Sequence, residues 1–137
     1  MSKNKTTIVA LDVGEARIGV AVADTSVKIA IPFGAIEVDG SEIKEIAQIV
    51  VKEEASIIVV GYPRNQSGEA TAQTAYVERF AAQLTDLADE VVFQDESLTS
   101  VMAEQRLKAR GGNYTRGDID AEAAVIILQD YIEDHYS

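Results

Sequence analysis

The stretch VALDVGEARIGVAVAD, from Val9 to Asp24, decides the fold and raises the first question about function. It contains two runs rich in Val, Ile and Ala that are joined by the turn Gly14-Glu15, a pattern typical of paired β-strands. Asp12 lies inside the first run, between Leu11 and Val13. Because a buried, unpaired carboxylate is costly, Asp12 is expected to be paired, to bind a metal ion or to lie near water.

The neighbouring residues extend this pair of strands into a meander. Residues 6–13 and 16–24 are the first two predicted strands, and residues 28–38 are the third. Pro32 and Gly34 in the third strand indicate an edge position or a bulge. Three successive strands with short connections predict an antiparallel arrangement.

Helices and strands alternate after residue 40. Ser41 is a candidate N-cap, and apolar residues then recur with helical spacing from Ile43 to Val51. The later predicted elements are a buried strand at 56–61, a helix at 70–88, a strand at 90–94, and helices at 99–110 and 119–134. This order predicts an α/β fold of the ribonuclease H-like kind: a five-stranded mixed sheet, three strands antiparallel and then two parallel, flanked by about four helices.

Composition limits the class of protein. The chain has 137 residues, of which 47% are hydrophobic and 26% charged, so a single globular domain over residues 1–137 is expected. No apolar run approaches the roughly 20 residues that span a bilayer. Cysteine is absent and no signal peptide is visible, which favours a cytoplasmic protein. The net charge of −11 argues against a generally basic nucleic-acid binder, but not against local binding of nucleic acid.

Three acids stand in apolar settings. Asp12 shares a strand face with Ile8 and Ala10, Glu96 comes directly after the fifth predicted strand, and Asp120 opens the last helix. If they converge at one sheet edge, their oxygen ligands suit Mg²⁺ or Mn²⁺ and not zinc. Simpler roles stay open, because Glu96 could merely end a strand and Asp120 could cap a helix.

Local positive charge is the second candidate feature. Residues 106–116, RLKARGGNYTR, hold four of the twelve Lys and Arg residues and no acid. Lys108, Arg110 and Arg116 are therefore candidate phosphate contacts, although Lys108 and Arg110 could simply complement a helix C-terminus.

Two further sites are candidates for substrate contact. Arg17 could either pair with the acids or meet a phosphate. Arg64 and Asn65 follow the fourth predicted strand at the same sheet edge, where a turn role is an alternative.

Four ordered segments resemble the YqgF/RuvX family: LDVGEARIGVAVAD, IIVVGYPRNQSGEATAQTAYVERFAAQL, VVFQDESLTSVMAEQRL and IDAEAAVIILQDYI. The family's members are described as pre-16S ribosomal RNA nucleases and Holliday junction resolvases, and the resemblance implies a ribonuclease H-like fold. It also implies catalytic acids at Asp12 in the DVG motif, Glu96 in DE-x-L-T and Asp120 in ID-x-x-AA. In the resulting hypothesis Asp12 bridges two Mg²⁺ or Mn²⁺ ions, and the other two acids complete their shells.

Three departures from the family pattern concern substrate affinity. Glu15-Ala16 stand before Arg17 where a Thr-like residue and Lys are common, and Ser97 stands where Arg is common. The loop often written N-x-D-G is here Asn65-Gln66-Ser67-Gly68. Two positive charges near the predicted site are therefore missing.

Other function classes are alternatives to a nuclease. A DVG hairpin also opens actin-like sugar kinases and ATPases, but those need a second such domain. An inactive nucleic-acid-binding module is a further alternative, although it would have no need for three repelling acids. A junction resolvase would act as a two-fold dimer, and the sequence carries no dimer signature. A monomer or weak homodimer that acts on pre-ribosomal RNA, alone or in ribosomal particles, is therefore favoured over one that acts on branched DNA.

Overall fold

The elements form in the predicted order within residues 6–63, 71–96 and 99–136, which the computed structural model describes. The strands are β1 (Thr7–Val13), β2 (Arg17–Asp24), β3 (Ile31–Glu37), β4 (Ile57–Pro63) and β5 (Glu90–Glu96). The helices are α1 (Glu42–Glu53), α2 (Ala72–Ala82), α3 (Thr99–Arg110) and α4 (Arg116–Tyr136). Among these described helices, none is long and apolar enough to cross a membrane.

The five strands form one sheet in the order β3-β2-β1-β4-β5. β1 pairs with β2 and β2 with β3 in antiparallel fashion, whereas β1–β4 and β4–β5 are parallel. The predicted mixed sheet is therefore confirmed. Its third strand does lie at an edge, and the register shift between Val20 and Ala21 is the expected irregularity opposite Pro32.

Alternating side chains of β1 feed two separate cores. Val9 and Leu11 pack with residues of α1 and α2 on one face of the sheet. Ile8 and Ala10 pack with α4 on the other face. Because alternate residues of a strand share a face, Asp12 lies on the α4 side, and α3 in turn packs on α4.

Several predicted boundaries were wrong for identifiable reasons. α2 ends at Ala82 and not at residue 88, because the chain continues as turns with i→i+3 bonds such as Leu87 N–H to the Leu84 carbonyl. α4 begins at Arg116 and not at 119, because Thr115 and Asp118 cap it reciprocally.

α1 begins after Ser41, which occupies the N-cap position as predicted. Ser41 makes no side-chain capping bond, and the Glu42 carboxylate instead accepts the backbone N–H groups of Asp39 and Gly40. The helix start and the N-cap position of Ser41 were thus predicted correctly, but the Ser41 side chain makes no capping bond.

Candidate active site

Gly19 brings α4 down onto the sheet beside Asp12. In the β1–β2 register Asp12 faces Gly19. A β-carbon at Gly19 would stand 1.8 Å from the backbone oxygen of Asp120, a distance that no side chain permits. The missing side chain therefore allows the backbone of α4 to lie directly on β2, which places Asp120 next to Asp12 across the sheet surface.

Glu96 reaches the same place from β5, the edge strand that is separated from β1 by β4. It is the last residue of β5 and is paired with Pro63 of β4. A β-carbon at Gly61 would stand 3.0 Å from the Glu96 carboxyl carbon and 2.6 Å from Ile127 of α4. The space above Gly61 is thus filled by the Glu96 side chain and α4, so the fifth strand delivers its carboxylate to the α4 face.

Two side chains hold two of the acids. The Thr99 hydroxyl, at the start of α3, donates a 2.8 Å hydrogen bond to Oε2 of Glu96. The Arg17 guanidinium donates from Nε to Oδ2 of Asp120 at 2.6 Å. Asp120 is therefore an ion-pair partner and not the helix cap, a role that Thr115 and Asp118 take.

The three carboxylates share one cavity of about 420 Å³. It opens at the carboxyl ends of β1 and β5, the edge at which ligands bind in open α/β sheets. The described residues that line it are Asp12, Val13, Gly14, Arg17, Pro63, Gln73, Glu96, Thr99, Ser100, Val101 and Asp120.

Among the described residues that line this cavity, three are acidic and one, Arg17, is basic. Burial, and after it the negative charges of Glu96 and Asp120, together raise the pKa of Asp12 to about 8. Burial also raises the pKa of Glu96, while the hydrogen bond from Thr99 lowers it. Asp12 therefore either holds a proton or needs a cation near neutral pH.

A hard divalent cation fits this donor set. Every candidate ligand is a carboxylate oxygen, the ligand type that Mg²⁺ and Mn²⁺ prefer. Within the described ranges, however, no three acidic or His side chains are gathered closely enough to hold one ion as they stand. Asp120 is engaged by Arg17 in this arrangement, so the acids are neighbours but do not form a preassembled cage.

The predicted basic residues are spread over different places. Arg17 lies in the carboxylate cavity, and Arg116 lines an adjoining cavity of about 320 Å³. Lys108 and Arg110 lie at the far end of α3, about 15 Å along the helix from Thr99 at 1.5 Å per residue. Arg64 and Asn65 lie outside the described residues.

Arg110 also has a partner that the sequence did not suggest. Its Nη2 lies 2.8 Å from Oε2 of Glu122, and Arg106 Nη1 lies 3.2 Å from the same oxygen. Glu122 is buried, with a side chain only 4% exposed. These ion pairs join α3 to α4.

Sequence reasoning missed the positioning roles of several residues. Thr99 stands three residues after Glu96, a spacing that allows the bond that forms but does not require it. Gly19 and Gly61 gave a weak signal, because an isolated glycine inside a strand indicates close approach of another group. Gln73 gave none; its side chain donates to the Val13 carbonyl from α2.

Comparison with known proteins agrees with this fold and identifies the family. The family model described as "RuvX: Holliday junction resolvase" matches residues 6–134. The "Putative pre-16S rRNA nuclease" of Chloroflexus aurantiacus is 43% identical over 135 residues, covering 95% of this chain and 88% of the relative. The protein of the same name from Synechocystis is 38% identical over 138 residues, covering 97% and 90%.

Similarity to solved structures supports the fold. The structure titled "T. thermophilus RuvC in complex with Holliday junction substrate" matches with a TM-score of 0.56 at 13% identity, over 94% of each chain. At that identity the likeness concerns the arrangement of strands and helices alone. The family match over nearly the whole chain, together with relatives of 38% to 43% identity, shows that this chain belongs to the RuvX family.

Proposed function

We propose that this chain is a divalent-metal-dependent endonuclease that hydrolyses phosphodiester bonds, and that its substrate is the precursor of 16S ribosomal RNA. The observation that carries the proposal is the convergence of Asp12, Glu96 and Asp120 on one open cavity. The names of the curated relatives support the choice of substrate.

Asp12, Glu96 and Asp120 would hold the metal, most simply two Mg²⁺ or Mn²⁺ ions. When bound, such ions lower the pKa of the attacking water and stabilise the charge that develops on the leaving oxygen. The raised pKa of Asp12 supports this role, because a cation would replace the proton that the buried carboxylate otherwise retains.

Thr99 and Gln73, which also line the cavity, make hydrogen bonds that hold the acids and the adjoining backbone in place. Thr99 donates to Glu96 Oε2, which favours the ionised carboxylate and fixes its orientation. Gln73 joins the start of α2 to the Val13 carbonyl, one residue beyond Asp12. These bonds reduce the reorganisation that the acids need when they bind a cation.

A substrate path follows from the two adjoining cavities. Both are lined by Arg17, Ser100, Val101 and Asp120, and the second adds Arg116. A nucleic-acid strand that lies across them would place one phosphate at the acids and a neighbouring phosphate near the two arginines.

The test is cleavage of a pre-16S RNA fragment with its 5′ leader in Mg²⁺ or Mn²⁺. We expect wild type to cut this RNA, Asp12→Asn and Glu96→Gln to lose at least about 100-fold in rate, and EDTA to abolish cleavage. Asp95→Asn is the matched control for Glu96→Gln, because it removes a charge one residue away on the opposite strand face. Equal cleavage by wild type and Asp12→Asn would contradict the proposal.

Holliday junction resolution is the second candidate, because the family model carries that description. A four-way DNA junction and a linear duplex of the same sequence should be tested beside the RNA. Paired nicks at symmetric positions, together with a dimeric solution mass, would favour the resolvase. Cleavage of the RNA by a monomer with an intact junction would favour RNA processing.

A further inference from the structure

We propose that Arg17 is a positioning residue with two alternating partners: it neutralises Asp120 while the site lacks metal, and it moves to a substrate phosphate when a cation takes Asp120. The first partner is observed in the structure. The second rests on the proposed nuclease function.

The ion pair between Arg17 and Asp120 is short but accessible enough to solvent to be exchanged. Arg17 Nε lies 2.6 Å from Asp120 Oδ2, a charge-assisted hydrogen bond that joins residues 103 positions apart in the sequence. The two side chains are still 27% and 21% exposed, so the pair is reached by water and is not sealed in the core. A partly exposed pair of this kind is worth little enough to be exchanged.

The charges around the cavity explain why an exchange is needed. Among the described residues that line it, Arg17 is the basic one that faces the three carboxylates. It contacts Asp120, and no other basic side chain of the described lining accompanies Asp12 or Glu96. A divalent ion that binds all three acids must therefore compete with Arg17 for the oxygen of Asp120.

The adjoining cavity gives the released side chain a destination. Arg17 and Asp120 line both cavities, so the arginine stands in the wall between them. The second cavity also contains Arg116 and Glu104, and the Glu104 carboxylate already accepts a 2.9 Å hydrogen bond from the Tyr114 hydroxyl. A phosphate that enters there would meet two arginines.

The decisive experiment is a double-mutant cycle on Mn²⁺ affinity, measured by calorimetry without nucleic acid. We expect Arg17→Gln to bind Mn²⁺ about threefold to tenfold more tightly than wild type, the size expected for losing one partly exposed competitor. In an Asp120→Asn background the same substitution should give no tightening, because the competition for Asp120 is gone. Equal tightening in both backgrounds would mean that Arg17 acts only through its general field, which would overturn the exchange.

The second measurement concerns the phosphate. Binding of an RNA oligonucleotide is followed by anisotropy in Ca²⁺, with the RNA shown to be intact on a gel, and again in EDTA. Arg17→Gln should weaken binding severalfold in Ca²⁺ and much less in EDTA, where Arg17 is occupied by Asp120. Equal weakening in both conditions would contradict the second partner.

Arg116→Gln is the matched control, since it removes the same charge from the second cavity alone. It should weaken RNA binding in both conditions and leave Mn²⁺ affinity unchanged. If Arg17→Gln does not fold, Arg17→Met, which removes the charge and keeps an apolar stem, is measured in the same cycle, and an unchanged Mn²⁺ affinity in that variant would overturn the exchange. Tighter Mn²⁺ binding by Arg17→Gln without any cleavage by wild type would retain the exchange and reject the nuclease.

Discussion

The backbone oxygen of Asp120 lies where the first atom of any side chain at residue 19 would have to stand, 1.8 Å from the ideal β-carbon position of Gly19. The neighbouring backbone nitrogen of Ala121 is also within 3.0 Å of that position. Both obstacles are main-chain atoms of α4, so no side-chain rotation can relieve them. The approach of α4 to β2, and with it the position of Asp120, therefore depends on this glycine.

Gly19→Ala is predicted to push α4 away from the sheet. We expect a loss of about 2–3 kcal/mol in the free energy of unfolding, typical of overpacking against a rigid neighbour. Mn²⁺ affinity should fall as well, because Asp120 moves away from Asp12. Urea unfolding and calorimetry measure the two effects.

Gly117→Ala, a substitution within α4 itself, is the control for Gly19→Ala. Its β-carbon would stand 3.4 Å from the Ala35 side chain, close to an ordinary contact. Alanine is favoured over glycine in helices by up to about 1 kcal/mol, so this variant should be neutral or stabilised. A Gly19→Ala protein as stable as Gly117→Ala would contradict the role given to Gly19.

Thr99→Val is predicted to impair the site mainly at low pH. The Thr99 hydroxyl donates to Glu96 and lowers its pKa, which burial otherwise raises. Without the donor the Glu96 pKa rises further, so the acidic limb of the kcat/KM profile should move to higher pH. A hydrogen bond to a charged group is worth about 1.5–3 kcal/mol, so the loss at the acidic end should reach about tenfold or more.

Thr99→Ser separates this effect from simple packing. It retains the hydroxyl and should keep the wild-type pH profile. A loss of activity that is uniform across pH and equal in Thr99→Val and Thr99→Ser would show that the shape of this side chain matters and that the hydrogen bond does not set the pKa of Glu96.

The raised pKa of Asp12 predicts how the free energy of unfolding depends on pH when EDTA removes the metal. Its pKa rises from 3.8, the ordinary value, to about 8 in the folded protein. Between these values the unfolded chain releases the proton and the folded protein retains it, so the Asp12 contribution falls as the pH rises. Asp12→Asn removes this decline.

The stability difference between Asp12→Asn and wild type should thus be small below pH 4 and should grow up to about pH 8. An advantage of about 2 kcal/mol for the variant near neutral pH is expected for a partly accessible carboxylate, measured by urea unfolding in EDTA. Saturating Mn²⁺ should stabilise wild type and reverse the order. A constant difference across this pH range would refute the explanation.

The sequence predicted the sheet well because β-strand patterning is local. The meander of β1 to β3 and the buried strand of β4 follow from runs of Val, Ile and Ala, and the position of Asp12 on the α4 face follows from alternation. The strand ends predicted that the three acids lie close together, and the family resemblance supported this prediction. It agrees with the shared cavity.

The contacts that complete the site were less predictable because they join distant segments. Nothing near Arg17 in the sequence selects Asp120 over a phosphate, and nothing near Arg110 selects Glu122. Both pairs depend on how α4 docks, which in turn depends on Gly19 and on residues of the other strands and of α3. Helix ends were also missed where reciprocal side-chain bonds, as between Thr115 and Asp118, decide the boundary.

Glu122 and its two arginines give a final prediction about the join between α3 and α4. Oε2 of Glu122 is 3.2 Å from Arg106 and 2.8 Å from Arg110, and the Glu122 side chain is 4% exposed, whereas both arginines reach solvent. Arg110→Ala should cost only about 1 kcal/mol, because Arg106 still neutralises Glu122.

Replacing both arginines by alanine should cost about 3–5 kcal/mol, more than the sum of the single changes, because a buried carboxylate is then left unpaired. Adding Glu122→Gln to that double variant should restore part of the stability, since the uncompensated charge is gone. Urea unfolding of the set measures this coupling. Additive costs without rescue by Glu122→Gln would mean that the arginines stabilise α3 through packing of their stems and not through the charge of Glu122.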